Sequence, residues 1–392
     1  MFTVIDAPCG HGKTSYAIDL MYYNPDKCYV YITPFLDEVA RVKKEIPWMK
    51  EPKYSKDTNK YKDFKQLLER GDCIVSTHAL FQRCTPEIIN LIKNYNYTLI
   101  LDEVMDVVEE LSIIKKHDIE YLLSLNLIRI DEATKKIIWI EDDSESQFDT
   151  IKDYIVNGDT YFISNTVIIW TFPVSIFKAF SDVFVLTYMF DCQLQRYYYD
   201  YYNIKYDVVS IDATGIIPYD DIRPCIGDIH ITRVDKINNI GRDKHALSLS
   251  WYKKASKEDL TVLKNNLYNF FHNICKANSK QVLWTTYKPY KEEIQPKRFT
   301  KKDCFAPHNT RATNQYKDRL YVAYPINKYM RPYIKQFFEM RGIYVDQDKY
   351  AVSELIQFIF RSAIREYKQI ELYLPSSRMR SLLINYCNYK VF

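Results

Sequence analysis

Ala7-Pro8-Cys9-Gly10-His11-Gly12-Lys13-Thr14 is the stretch that decides how this chain is read. It follows the short apolar run Phe2-Thr3-Val4-Ile5 and leads into Ser15-Tyr16-Ala17-Ile18-Asp19-Leu20, which has the character of a first helical turn. Strand, tight Gly-containing loop and a helix opening on Gly-Lys-Thr form an arrangement that cradles a nucleoside triphosphate. Backbone N–H groups and the helix N-terminus face the phosphates, Lys13 adds a positive charge, and the Thr14 hydroxyl can ligate Mg²⁺. Gly10, His11, Gly12, Lys13 and Thr14 are therefore the expected residues for ATP or another NTP. The general pattern has Gly where Ala7 stands, a small steric departure.

Working outward, apolar runs alternate with helical patterns, which predicts an α/β fold with a mainly parallel sheet. Cys28–Ile32, Asp72–Thr77 and Tyr97–Leu101 read as strands, with helices over Glu38–Glu45 and from His78. Leu127–Asp131 and Lys136–Ile140 read as a β-hairpin, and the acidic run Glu141–Glu145 as a solvated loop. Asn165–Phe172 and Asp182–Leu186 are expected to rejoin the first sheet. The Tyr197–Tyr202 run reads as a partly buried strand between domains. A boundary is expected between Asp191 and Asp228, where Pro218, Pro224 and Gly227 lie. The second half repeats the cycle: an amphipathic helix over 257–277, strands at Gln281–Thr286, Arg319–Tyr324 and Gln369–Leu374, and a helix over Val352–Arg365.

At 392 residues the chain exceeds one ordinary core. Its 47% hydrophobic content supports real cores, yet no apolar run is long enough to span a membrane. The sequence enters its first strand at once, so no signal peptide is expected. Nine scattered cysteines without a C-x-x-C pair argue for a reducing cytoplasm, against zinc and against a disulfide framework. A formal net charge of +4 does not announce nucleic acid, so any such site must be a local basic surface.

Two further groups carry chemistry. Asp102-Glu103 ends an apolar strand, where parallel sheets bind ligands. Asp102 suits a Mg²⁺ ligand, and Glu103 a base polarising the water that attacks the γ-phosphate. On one helix, Gln357, Arg361 and Arg365 fall at i, i+4 and i+8 and share a face, which suits the neutralisation of a γ-phosphate by an arginine finger.

With these groups in place, the chain resembles the superfamily 2 helicases of the DEAD/DEAH-box class, and most closely the compact helicases encoded by bacteriophages. Gly10–Thr14 matches motif I, Asp102-Glu103-Val104-Met105 the DExx box, and Gln357–Arg365 motif VI, with arginines at +4 and +8 rather than +4 and +7. Arg361 and Arg365 are thus both finger candidates. Thr33-Pro34 and Ser76-Thr77-His78 correspond to the nucleic-acid motifs between I and II. Thr187 is the matching residue of motif III, Val282–Thr286 resembles motif IV, and Arg311–Asp318 motif V. The resemblance implies two tandem RecA-like domains with a nucleotide cleft between them. They would cover 1–200, with a hairpin insertion at about 120–160, and 225–392. It also implies contacts from Thr33, Thr77, Thr285 and Thr313 to the phosphates of single-stranded or forked nucleic acid, DNA in preference to RNA. The implied setting is the cytoplasm of a phage host, alongside host or phage replication proteins.

Weaker signals remain open. Asn309, Arg311 and Asn314 cluster near a loop that can face nucleotide or nucleic acid. Lys297-Arg298-Phe299-Thr300-Lys301-Lys302 is either a phosphate contact or a solvated loop. The hairpin suits a strand-separating wedge or a partner-docking flap. Three functions fit the sequence: an ATP-dependent helicase or translocase, a P-loop nucleotide or small-molecule kinase, and an ATP-switched binding module without turnover.

Overall fold

The computed structural model describes residues 1–8, 10–55, 58–140, 148–220, 228–309 and 315–388. The chain divides into two units. One comprises Met1–Ala7, His11–Asp220 and Arg331–Val345; the other comprises Pro8–Gly10, Asp221–Met330 and Asp346–Phe392.

Among the described residues the first unit holds twelve strands: β1 (Phe2–Asp6), β2 (Tyr29–Thr33), β3 (Ile74–Thr77), β4 (Thr98–Asp102), β5 (Val108–Glu110), β6 (Ile128–Ile130), β7 (Ile137–Trp139), β8 (Asp159–Ile163), β9 (Val167–Thr171), β10 (Asp182–Thr187), β11 (Asp207–Asp212) and β12 (Gly215–Pro218). Seven of them make the main sheet in the order β12-β11-β1-β10-β4-β2-β3, parallel except for β12. Every residue of β2 and β4 is buried. That explains why both read as unbroken apolar runs rather than alternating ones. Ile5, Tyr31, Ile100 and Leu186 from the strands pack with Ala17, Met21 and Val42 from the helices Lys13–Tyr22 and Leu36–Glu45. The second helix carries Asp37 and Glu38 in its first turn and Lys43 and Lys44 in its last, charges that complement its dipole.

Between β4 and β10 the chain builds an insertion. The expected hairpin is present as β6-β7, but Asn165–Phe172 does not rejoin the main sheet. It forms β9, antiparallel to β8 and β5 in a separate three-stranded sheet. The cause is local: Ser164 and Asn165 both take left-handed backbone, with φ of 51° and 50°, and turn the chain back on itself. The run Glu141–Glu145 lies outside the described residues.

Tyr197–Tyr202 is likewise not a strand. It spans the end of the helix Leu194–Tyr201 and its C-cap Tyr202, with Tyr197, Tyr198 and Tyr199 fully buried in the first unit. Beyond it β11 and β12 extend the main sheet, so this unit runs on to Asp220. A late segment also returns to it. The helix Pro332–Glu339 sets Phe337 5.0 Å from Tyr161 and Phe338 5.7 Å from Tyr197, ring centre to ring centre.

The second unit is built on β13 (Ile229–Ile231), β14 (Val282–Trp284), β15 (Tyr321–Ala323) and β16 (Ile370–Tyr373), a fully parallel sheet in the order β13-β16-β15-β14. The helix Lys257–Tyr268 opens on a capping box between Ser256 and Asp259. The expected helix over Val352–Arg365 is instead Gln347–Ile359, followed by a separate 3₁₀ turn, Ala363–Glu366. Two bonds break it. The Ser362 hydroxyl donates to the Ile359 carbonyl at 2.5 Å, and the Ala363 N–H donates to the Arg319 carbonyl at 2.9 Å. The two units together are an α/β fold of tandem RecA-like halves with mainly parallel sheets.

Candidate active site

The loop between β1 and the helix Lys13–Tyr22 turns on Gly10 and Gly12, with φ of +90° and +83°. A Cβ at either would meet nothing within 4 Å, so glycine is needed there for its backbone freedom and not for space. Gly12 is the N-cap of the helix and has no side chain to occupy the first N–H groups. Ala7, in the position where the general pattern has Gly, needs no such freedom. It continues β1 and donates its N–H to the Thr187 carbonyl at 3.0 Å. Its own carbonyl accepts from Lys13 Nζ at 2.5 Å, which draws the buried ammonium back across the loop.

Three elements then converge on one carboxylate. Thr14, in the first helical turn, donates to Asp102 Oδ1 at 3.3 Å, and Thr33, at the end of β2, donates to Asp102 Oδ2 at 3.3 Å. Asp102 ends β4, next to β2 and β10 in the sheet. Burial pushes its carboxyl up to about 7, and Glu103 and Glu38 push in the same direction against the pull of Lys13. A buried site of hydroxyl and carboxylate oxygens with excess negative charge fits a hard divalent cation, so Thr14 and Asp102 are the residues that would hold Mg²⁺.

Glu103 takes left-handed backbone with φ 75°, held by its N–H donating to the Leu186 carbonyl at 2.8 Å. A non-glycine residue in that region costs about 1–3 kcal/mol, which the neighbouring strand must offset. Thr187, at the end of β10, donates to Glu103 Oε2 at 3.3 Å and orients the carboxylate. The turn after Thr187 is fixed in its own way. Met189 has φ 60°, and Asp6 accepts from the Met189 and Phe190 N–H groups, both at 2.8 Å. The buried Gln195 accepts from the Met105 N–H at 2.9 Å and so holds the chain just after Glu103. Sequence reasoning missed Asp6 and Gln195. The available signal was a carboxylate ending an apolar strand with no charged partner nearby in sequence.

The structure thus gathers Lys13, Thr14, Asp102 and Glu103. Two expected nucleic-acid contacts need correction. Thr33 is fully buried with its hydroxyl committed to Asp102, and Thr285 is fully buried after β14. Neither presents a hydroxyl at a surface. Thr77 is half-buried at the head of the helix His78–Phe81, whereas Arg311, Thr313 and Asn314 lie outside the described residues.

In the second unit Gln357 and Arg361 are buried, but the helix ends at Ile359, so only Gln357 lies on it: Arg361 falls in the turn just after it and Arg365, half-buried, in the turn Ala363–Glu366. The shared face of all three residues does not form. Around Arg361 lie the Phe358 ring and His308, whose imidazole is lowered to about 4, first by burial and then by Lys328 and Arg361, with Glu354 opposing. Lys328 and Glu354 form a buried pair at 3.0 Å. Among the described residues no cluster of His, Cys, Asp and Glu makes a further metal site. No helix there is long and apolar enough to cross a membrane.

Residues 225–387 match the model of the YonV C-terminal Rossmann-like domain, which covers the second sheet. The whole chain has the fold of Xpd4 from S. tokodaii, with a TM-score of 0.50, 98% of this chain and 93% of that chain covered. At 12% identity that likeness shows the fold alone. In sequence, the SPbeta prophage-derived uncharacterized protein YonV of Bacillus subtilis strain 168 is 38% identical over 408 residues, covering 98% of each chain. By that match from end to end, the chain belongs to the YonV family.

Proposed function

We propose that this protein is a nucleic-acid-stimulated NTPase of the helicase type, acting as a translocase or unwinding enzyme on phage DNA. The observation that carries the reading is the convergence of Lys13 and Thr14, from the first helix, with Asp102 and Glu103, at the end of β4, with Thr14 and Asp102 at 3.3 Å. Lys13 and the helix N-terminus would bind the phosphates of ATP, and Thr14 and Asp102 would hold Mg²⁺. Bound Mg²⁺ would supply charge neutralisation on the phosphate oxygens. Glu103, oriented by Thr187, would take the proton from the attacking water. Arg361 is the better finger candidate, because it is buried in the turn that directly follows the helix, whereas Arg365 lies half-buried in the separate turn Ala363–Glu366.

The fold's likeness to Xpd4 along 98% of this chain and the prophage origin of the relative support this reading over a P-loop kinase. The test is release of free phosphate from ATP with and without single-stranded DNA. Wild type should turn over faster with the strand. Lys13→Ala and Glu103→Gln should each lower turnover by about a hundredfold or more, Glu103→Gln while still binding ATP. Unchanged turnover in both variants would sink the site assignment. Phosphate transfer to a nucleotide acceptor without free phosphate would favour the kinase.

A further inference from the structure

The second unit presents a basic rim where its strands begin, away from Thr285 and Tyr324 at the ends of β14 and β15. Arg319 organises it. This buried side chain donates through Nη1 to the Lys280 carbonyl and through Nη2 to the Asp303 carboxylate at 3.2 Å, while its own carbonyl accepts from the Ala363 N–H at 2.9 Å. Three loops are stitched together this way. Backbone bonds continue the row: the Leu320 N–H donates to Gln281 at 3.0 Å, and the Glu371 N–H to Leu320 at 2.9 Å. Lys301 joins through the Cys304 N–H, which donates to its carbonyl at 2.9 Å, and Cys304 Sγ donates to the Ser279 carbonyl at 3.1 Å.

Lys280, Lys301, Lys302, Lys317 and Lys368 are all exposed along this row. Asp303 is engaged by Arg319, and Glu366 by Lys317 at 3.8 Å; with the exposed Asp318 set against the remaining lysines, the rim keeps a net positive charge. The Phe299 ring of the basic loop is buried and unavailable as an aromatic partner. The exposed aromatic is Tyr367, 83% accessible, and its backbone is left-handed with φ 58° at the end of the turn Ala363–Glu366. Glycine or asparagine would cap that turn at lower cost. The ring buries almost nothing, so the fold gains nothing from it.

We propose that this rim is a binding surface for single-stranded nucleic acid, in which the lysines follow the phosphates and one unstacked base lies on Tyr367. Both ingredients are what strand binding without sequence preference requires. A duplex offers phosphates but no free base face, so the single strand is the occupant that uses Tyr367. The inference does not rest on the NTPase reading.

The test is fluorescence anisotropy of a labelled oligothymidylate over a salt series. Reversing Lys280, Lys302 and Lys368 together to Glu should weaken binding at least tenfold and flatten the salt dependence by about two to three units of slope. Tyr367→Ala should weaken it about five- to tenfold with the slope unchanged, and Tyr367→Trp should restore it. ATP turnover without nucleic acid should match wild type in all variants, which reports an intact fold. Wild-type affinity and slope in the triple variant would overturn the rim. A Tyr367→Ala loss as large for duplex as for single strand would overturn the stacking. If wild type binds the strand and the rim variants fail while no form hydrolyses ATP, the rim stands and the NTPase reading falls.

Discussion

Thr187 hydrogen-bonds Glu103 through its side chain and Ala7, at the start of the phosphate loop, through its backbone carbonyl, so its side chain separates positioning from binding. Thr187→Val should lower kcat about tenfold with KM for ATP within about twofold, because the lost bond orients the base and does not hold nucleotide. An equal rise in KM would show that Thr187 acts on binding instead. His308 gives the pH signature of the second unit. Its imidazole is lowered to about 4 by burial, with Lys328 and Arg361 adding to the effect and Glu354 opposing it. The unfolded chain therefore binds a proton below about pH 6.5 that the folded chain refuses until about 4. Stability falls as pH drops through that window, by at most about 3 kcal/mol. In urea unfolding at pH 7 and pH 5, His308→Gln should lose much less stability than wild type. Identical losses would mean that other groups carry the acid sensitivity.

Arg341 governs how the insertion is held. Its guanidinium lies over Phe337, Tyr161 and Tyr201, 4.1, 4.7 and 5.1 Å from the ring centres. It also donates to the Phe337 carbonyl at 2.9 Å and to Thr134, in the β6-β7 turn, at 2.6 Å. A hairpin whose turn is pinned in this way is poorly suited to be a free wedge or flap. Arg341→Ala should cost about 2 kcal/mol locally and raise amide exchange in residues 128–139 and 332–339 while β1 and β4 stay protected. Exchange that rises equally everywhere would make Arg341 a general stabiliser rather than a pin. None of this was legible in the sequence, since Thr134 and Arg341 lie far apart and no local pattern pairs them. The main strands were legible because burial on both faces writes continuous apolar runs, as in Tyr29–Thr33 and Thr98–Asp102. Lys13, Thr14, Asp102 and Glu103 were legible because phosphate and metal chemistry restricts residue type and order. Gln357, Arg361 and Arg365 misled because spacing assumes an unbroken helix, and the bonds of Ser362 and Ala363 that break it are tertiary or side-chain events. Thr33 and Thr285 misled because a hydroxyl at a strand end looks the same in sequence whether it faces solvent or the protein interior.

For the whole molecule, the consequential feature is that the chain passes from one unit to the other after Ala7, Gly10, Asp220, Met330 and Val345, so neither unit is a single stretch of sequence. The segment Arg331–Val345 lies within the later half but packs with the first unit, where Phe337 and Phe338 are fully buried against tyrosine rings. A fragment of residues 221–392 would carry that helix without its partners. Two buried phenylalanines and Ile334 would then face water, and each is worth about 1.5–3 kcal/mol of lost burial. That fragment should self-associate. A version with Arg331–Val345 replaced by a Gly/Ser linker of equal length should remain monomeric, because the β13-β16-β15-β14 sheet and the buried helix Gln347–Ile359 form its core without the segment. Sedimentation and far-UV circular dichroism distinguish the outcomes. Should the unmodified fragment stay monomeric and folded, the segment would be an element of the second unit, and its docking on the insertion would be dispensable. If both fragments aggregate, the parallel sheet needs the first unit to fold, and the two halves form one cooperative structure.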